Sequence, residues 1–136
     1  MKSSEQHYAQ TAYQAMNEKL QPETREIFGV ICHHFPSMVR LNGLHLTVIY
    51  YESQAASSKK EGSPKSEAYR HYLQYLNQAL DLGNGDLVQE VNRKAVDAKY
   101  YRMITRQALA ASVWFKRYAE VILRVEASEE WRLEPE

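Results

Sequence analysis

The sequence predicts an all-α fold, a compact single-domain helical bundle of about five to six helices with a long C-terminal helix. Three features carry this expectation. Only 5 Gly and 4 Pro occur in 136 residues, too few for the many turns of an all-β chain of that length. Apolar residues recur three and four apart along most of the sequence, the period of a helix with one buried face. Helix-start signatures stand at the heads of several of these stretches. A chain of this size closes a core without a metal or disulfide staple. Residues 1–126 are expected to form the single helical domain, with a flexible loop at about 54–64, and residues 127–136 an acidic tail.

Ser3-Ser4-Glu5-Gln6 reads as a capping box, since Gln three residues after Ser can bond back to the cap. Tyr8, Ala9, Ala12, Tyr13, Met16 and Leu20 then repeat at helical spacing. Pro22 suits the first position of a second helix, where its missing N–H has no partner to lose. Ile27, Phe28, Ile31 and Phe35 give that helix its apolar stripe. Pro36 is expected to kink or restart the helix, because it removes a backbone bond and crowds the preceding turn. Asn42-Gly43 marks a further break. Leu44, Leu46, Val48, Ile49 and Tyr50 are dense enough for a strand, but no other segment offers a pairing partner, so helix is expected.

Residues 54–64 (QAASSKKEGSP) are small, polar and charged, and form the expected loop. Ser63-Pro64 opens a third helix, with Ala68, Tyr69, Tyr72, Leu73, Leu76, Ala79 and Leu80 as its apolar face. Leu82-Gly83-Asn84-Gly85 ends it in a turn. Asp86-Leu87-Val88-Gln89 is a second capping box, heading a short helix. Asp97 caps the last helix, expected to run to about Glu126 and to measure on the order of 45 Å.

On a helical wheel this last segment divides in two. Tyr100, Met103, Ile104, Ala111, Trp114, Phe115, Tyr118, Val121, Ile122 and Val125 share a broad arc expected to face the core. Lys99, Arg102, Arg106, Arg117 and Arg124 cluster within roughly 60° on another face, with Glu120 the one acidic interruption. Two outcomes are open for this stripe. It follows a phosphate backbone, to which the planar guanidinium fork is suited, or it is a solvated face neutralised by carboxylates of neighbouring helices or of a partner protein. The sequence has 10 Tyr and 2 Trp. Should any ring stack on a base, Tyr51 beside the loop is the nearest candidate.

Seventeen basic residues balance seventeen acidic ones, which argues against a free-standing, non-specific nucleic-acid binder. The lone cysteine, Cys32, is expected to be a buried structural thiol. The first ten residues carry no apolar signal region, and no stretch approaches the ~18 apolar residues of a membrane span. The expected compartment is cytoplasmic, with no membrane contact.

An active site is hard to assemble. None of His7, His33, His34, His45 and His71 sits in a His-x-x-x-His or Glu-x-x-His arrangement that would place two ligands on one helical face. The neighbours Cys32, His33 and His34 point in different directions. Gly83-Asn84-Gly85 follows a helix and lacks a following Lys-Ser/Thr. Arg40 and His45 have the Arg-x4-His spacing of HEPN ribonucleases, all-helical enzymes in which His serves as acid or base and Arg stabilises the phosphorane. Here Leu41 replaces the polar residue favoured after Arg. A metal-independent nuclease at these two residues is the alternative to a non-catalytic chain.

Four segments in order carry a family likeness: residues 7–19; Phe35-Pro36-Ser37-Met38-Val39-Arg40-Leu41-Asn42-Gly43-Leu44; residues 69–80; and residues 97–123. The last contains Tyr101-Arg102, Thr105-Arg106-Gln107-Ala108-Leu109 and Trp114-Phe115-Lys116-Arg117-Tyr118-Ala119-Glu120. Their order and spacing resemble the small, fifth subunit of the type III-B CRISPR–Cas (Cmr) effector complex. Gln107 stands where that family often has an acid, and Phe115 where Leu is common. The related small subunit of the type III-A complex is a near alternative. The resemblance implies an all-α, non-catalytic protein used in antiviral defence. Its copies associate into a short minor filament beside the backbone and large subunits, lining the channel where target RNA pairs with the guide crRNA. It implies no cofactor, metal or small-molecule substrate. Arg102, Arg106, Lys116 and Arg117 match family positions and, with Lys99, Arg124 and Arg40, are the candidate RNA- or partner-facing residues. The likeness makes Trp114 a packing residue.

Overall fold

In a computed structural model, residues 4–56, 63–82, 85–93 and 97–124 are described below. Five helices follow one another: α1 (Ser4–Asn17), α2 (Pro22–Ala56), α3 (Pro64–Leu80), α4 (Leu87–Asn92) and α5 (Ala98–Ile122). Among the described residues there is no strand, and no helix is long and apolar enough to cross a membrane. The stretch 44–50 is helical, as its want of a pairing strand required. Ser3 lies outside the described residues, as do most of the expected loop and the whole of 127–136.

The starts of the helices follow their local chemistry. Pro22 opens α2. Ser63 caps α3 by accepting the Ser66 N–H at 3.1 Å, with Pro64 directly inside the helix. Asp86 and Gln89 close a reciprocal capping box on α4. Asp97 accepts the Tyr100 N–H at 2.7 Å at the head of α5. α3 stops at Leu80, before the expected turn, of which Gly83 and Asn84 lie outside the described residues. Asp81 takes the left-handed conformation (φ 52°) and donates its N–H to the Asn77 carbonyl, a conformation a short polar side chain tolerates.

The second helix departs most from expectation. Pro36 neither stops nor restarts it: helical backbone continues through a buried proline. The break is at Gly43, whose φ of 84° and ψ of 161° are closed to other residues without strain. Tyr51 donates to the Ile31 carbonyl at 2.8 Å, and the Phe35 and Tyr51 rings are 5.2 Å apart. Twenty residues of straight helix span about 30 Å, so α2 must fold back at Gly43 into two limbs, 22–42 and 44–56, lying against each other. Leu41 and Leu46, 83% and 66% exposed, stand at this corner.

The α2 hairpin packs on α3 and α5, and α1 bridges α3 and α5. Between them lies one aromatic-rich core holding Phe28, Phe35, Tyr51, Tyr69, Tyr72 and Phe115. Tilted ring contacts run from Phe35 to Tyr72 and from Tyr72 to Phe115, and Tyr51 meets Phe35 and Tyr69 edge-on, a geometry the ring quadrupoles favour. Cys32 is fully buried, and burial holds its thiol pKa well above the usual value.

Candidate partner and RNA interface

The last helix is shorter than its sequence pattern suggests. It ends at Ile122, four residues before Glu126, and at 25 residues measures about 37 Å. Its buried face consists of Ile104, Ala108, Ala111, Ser112, Phe115 and Ala119. Four of these six are small, which lets α5 approach α1 and α2 closely. The expected apolar arc was therefore drawn too wide. Met103 is 40% and Val121 76% exposed, while Tyr100, Trp114 and Tyr118 sit half-buried at the flank. The large rings pulled the predicted centre of the arc away from the alanines that touch the core.

Four of the basic candidates form a row on α5. Lys99, Arg102, Arg106 and Arg117 are all exposed, and among the described residues none is ion-paired to a carboxylate. An Arg–carboxylate pair joins Arg93 to Glu90 at 3.4 Å, within α4 and its cap. Glu120, the acid within the row, turns its carboxylate to His33 on α2, Oε1 lying 3.1 Å from Nδ1. Arg117 places its guanidinium carbon 5.3 Å from the centre of the Trp114 ring. Trp114 is held in turn by its indole N–H, which donates to Glu5 of α1 at 2.6 Å. Tyr118 packs beside Trp114, and the half-exposed Tyr13 meets Tyr118 edge-on.

This placement works against the helix's own stability. Lys99, Arg102 and Arg106 are spaced three and four apart, so like charges face one another. Lys99 also lies in the first turn of α5, where the helix dipole disfavours a cation, and the Asp97 cap is the acid that stands opposite it there. Each such effect costs a few tenths of a kcal/mol. Local helix energetics does not account for the row.

The remaining candidates lie elsewhere. Lys116 is half-buried and about 100° round the helix from Arg117. Arg124 is off the wheel altogether, because it follows the end of the helix. It adopts φ 58° and lines a separate cleft with Leu20, Pro22 and Arg25. Arg40 is exposed on α2, three residues before the Gly43 corner.

The expected stacking candidate is misplaced. Tyr51 is 1% exposed, and its hydroxyl is committed to Ile31. Among the described residues the exposed ring is Tyr13, which sequence periodicity places on the buried face of α1.

Four histidines fasten one helix to another. His7 on α1 meets the Gln78 carbonyl of α3, and His71 on α3 meets the Ala15 carbonyl of α1. His33 joins α2 to α5, and the His45 ring joins α2 to Asn92 of α4 at 3.0 Å. Arg40 and His45 thus flank a non-helical glycine, with the imidazole already engaged. Among the described residues no three His, Cys, Asp or Glu side chains converge as a metal site would require.

Comparison with known proteins adds an independent line. A sequence profile for the family described as CRISPR-associated protein (Cas_Cmr5) matches residues 4–122. The CRISPR system Cmr subunit Cmr5 of Thermus thermophilus is 28% identical over 123 residues, covering 90% of this chain and 98% of the relative. An X-ray structure of a CRISPR-associated Cmr5 family protein from the same organism superposes with a TM-score of 0.71 at 28% identity. That match covers 90% of this chain and 99% of the other.

Proposed function

The chain belongs to the CRISPR-associated Cmr5 family, and from that membership we propose that it is a non-catalytic small subunit of a type III-B, RNA-guided, RNA-targeting ribonucleoprotein. Its copies associate into the minor filament, and α5 borders the channel in which guide crRNA and target RNA pair. The observation that carries this reading is the row Lys99, Arg102, Arg106 and Arg117, exposed and without a carboxylate partner among the described residues.

A cationic row on a rigid helix tracks successive phosphates without reading bases, since phosphate contacts position a nucleic acid and base contacts specify it. That suits a complex in which sequence is read by guide–target pairing, as in RNA-guided effectors generally. The apolar side chains beside the row and at the α2 corner, Met103, Val121, Leu41 and Leu46, give adjoining protein subunits something to cover. Catalysis is left to other subunits, consistent with histidines spent on joining helices.

The test uses the whole complex. It is reconstituted with the wild-type chain or with Arg102→Glu, Arg106→Glu and Arg117→Glu combined, and target-RNA affinity is measured against salt. The variant is expected to enter the complex and to lower the slope of log K against log salt by about 2, given ~0.7 per single-strand phosphate contact. An unchanged affinity and slope in a fully assembled complex would overturn the RNA-facing role of α5.

A further inference from the structure

Residues 125–136 (VEASEEWRLEPE) lie beyond the span that matches the family profile. They hold five of the chain's seventeen acidic groups and one of its seventeen basic groups. The apparent neutrality of the sequence is thus a sum of opposites. The first 124 residues carry sixteen basic against twelve acidic groups, and the segment that follows carries the compensating negative charge. Within it Trp131 and Leu133 bracket Arg132, and Glu129, Glu130 and Glu134 lie on either side.

The body offers a complementary surface where this segment departs. A cleft of about 500 Å³, within the range of ligand-sized sites, opens between the α1–α2 connection and the end of α5. Its lining combines an apolar floor (Leu20, Pro22, Ile122 and Leu123) with two arginines, Arg25 and Arg124, and one acid, Glu26. Arg124 is itself the residue from which the segment leaves. Its backbone is left-handed, at the position after the helix cap usually given to Gly, so the helix of α5 does not continue past the cleft.

We propose that residues 125–136 fold back in cis onto this cleft. Trp131 and Leu133 cover the apolar floor, and the flanking glutamates meet Arg25 and Arg124. Reach is no obstacle: Trp131 is seven residues past a lining residue, up to about 24 Å of extended chain, and closing so short a loop costs little entropy. The pattern of alternating apolar and charged side chains is what this occupant needs and an RNA strand lacks. The segment takes Arg124 out of the set available to RNA and leaves the α5 row open. The inference stands apart from the RNA reading, because it concerns a different surface.

The experiment is 19F NMR on the full chain labelled with 5-fluorotryptophan. The two signals, from Trp114 and Trp131, are assigned with Trp131→Phe. The Trp131 signal is expected away from its position in the urea-unfolded chain, with less than half the unfolded chain's H2O/D2O isotope shift. In the Arg25→Glu, Arg124→Glu double variant it should move to the unfolded position while the Trp114 signal stays fixed. Should that variant disturb Trp114 as well, Glu129→Lys with Glu130→Lys leaves the body untouched and should release Trp131 likewise. A native Trp131 signal already at the unfolded position, or one that neither double variant moves, overturns the proposal. A Trp131 position that depends on protein concentration also overturns it, by placing the segment on a second copy.

Discussion

The hydroxyl of Tyr101 accepts the backbone N–H of His45 at 2.9 Å. That amide lies two residues past Gly43, where α2 turns back on itself and its ladder of backbone bonds is interrupted. Tyr101 thus satisfies a donor that the corner leaves open, and it joins the first turn of α5 to the corner of the α2 hairpin. Thr47 completes the arrangement by donating to the Gly43 carbonyl at 2.8 Å. Arg102, the second member of the cationic row, is the next residue along α5.

Gly43→Ala is expected to destabilise the protein by about 1–3 kcal/mol, the usual cost of a side chain in a glycine-only backbone region. The cause is conformational and not steric, because a methyl group there would meet the Tyr101 hydroxyl at an ordinary 3.7 Å. Urea unfolding monitored by circular dichroism measures it. A loss under about 0.5 kcal/mol, half the low end of that range, would show that the corner tolerates another backbone geometry.

Tyr101→Phe should cost about 0.5–1.5 kcal/mol, one net hydrogen bond, and should speed amide exchange at His45 more than at core amides such as Phe35. Uniform acceleration across α2 would argue that the bond does not hold the corner in particular.

Tyr51 and Tyr72 should respond to Phe substitution with opposite signs. Both are buried, with ring centres 5.5 Å apart. The Tyr51 hydroxyl donates to Ile31, whereas that of Tyr72 finds no partner among the described residues. Tyr51→Phe is expected to lose about 1 kcal/mol, and Tyr72→Phe to gain about 1 kcal/mol by removing an unsatisfied buried polar group. Equal losses in paired unfolding curves would mean that Tyr72 has a hidden partner.

Stability should fall above about pH 10. Burial holds Tyr51 and Tyr72 well above the ordinary tyrosine pKa, and a hydrogen bond to Glu18, with burial second, raises Tyr75 to about 12. The unfolded tyrosines ionise near 10, while the native ones keep their protons. The native state then binds more protons than the unfolded state, so stability declines as pH rises and is fully present below that range. A urea midpoint that is the same at pH 8 as at about pH 11, on either side of the unfolded tyrosine pKa, would contradict this.

Cys32 should remain unmodified by an aromatic disulfide reagent for as long as the protein is folded. Burial keeps the thiol protonated and inaccessible, and the thiolate is the reactive form. Labelling should occur at the rate at which the chain opens, so native-state labelling as fast as in urea would place the residue at the surface.

The sequence by itself determined the helical class, four of the five helix starts and the break at Asn42-Gly43. Each depends on chemistry within a few residues: a cap oxygen reaching an amide three residues on, a proline at the first helical position, a glycine free to take positive φ. It also placed Lys99, Arg102, Arg106 and Arg117 on one face, since residues on one helix share a face whatever surrounds them, but not Arg124, which the end of α5 at Ile122 removes from that face. Only the tertiary structure decided that Pro36 is carried through a helix while Gly43 folds it in half. Only there does Tyr51 become a buried donor, and Tyr13 an exposed ring. The burial of α5 on Ala108, Ser112 and Ala119, with Met103 and Val121 left outside, is likewise set by α1 and α2, whose residues lie far away in sequence. An amphipathic pattern says that a helix has a buried side, but how much of the arc is covered depends on how closely its neighbours approach, and small residues govern that distance without standing out in the pattern.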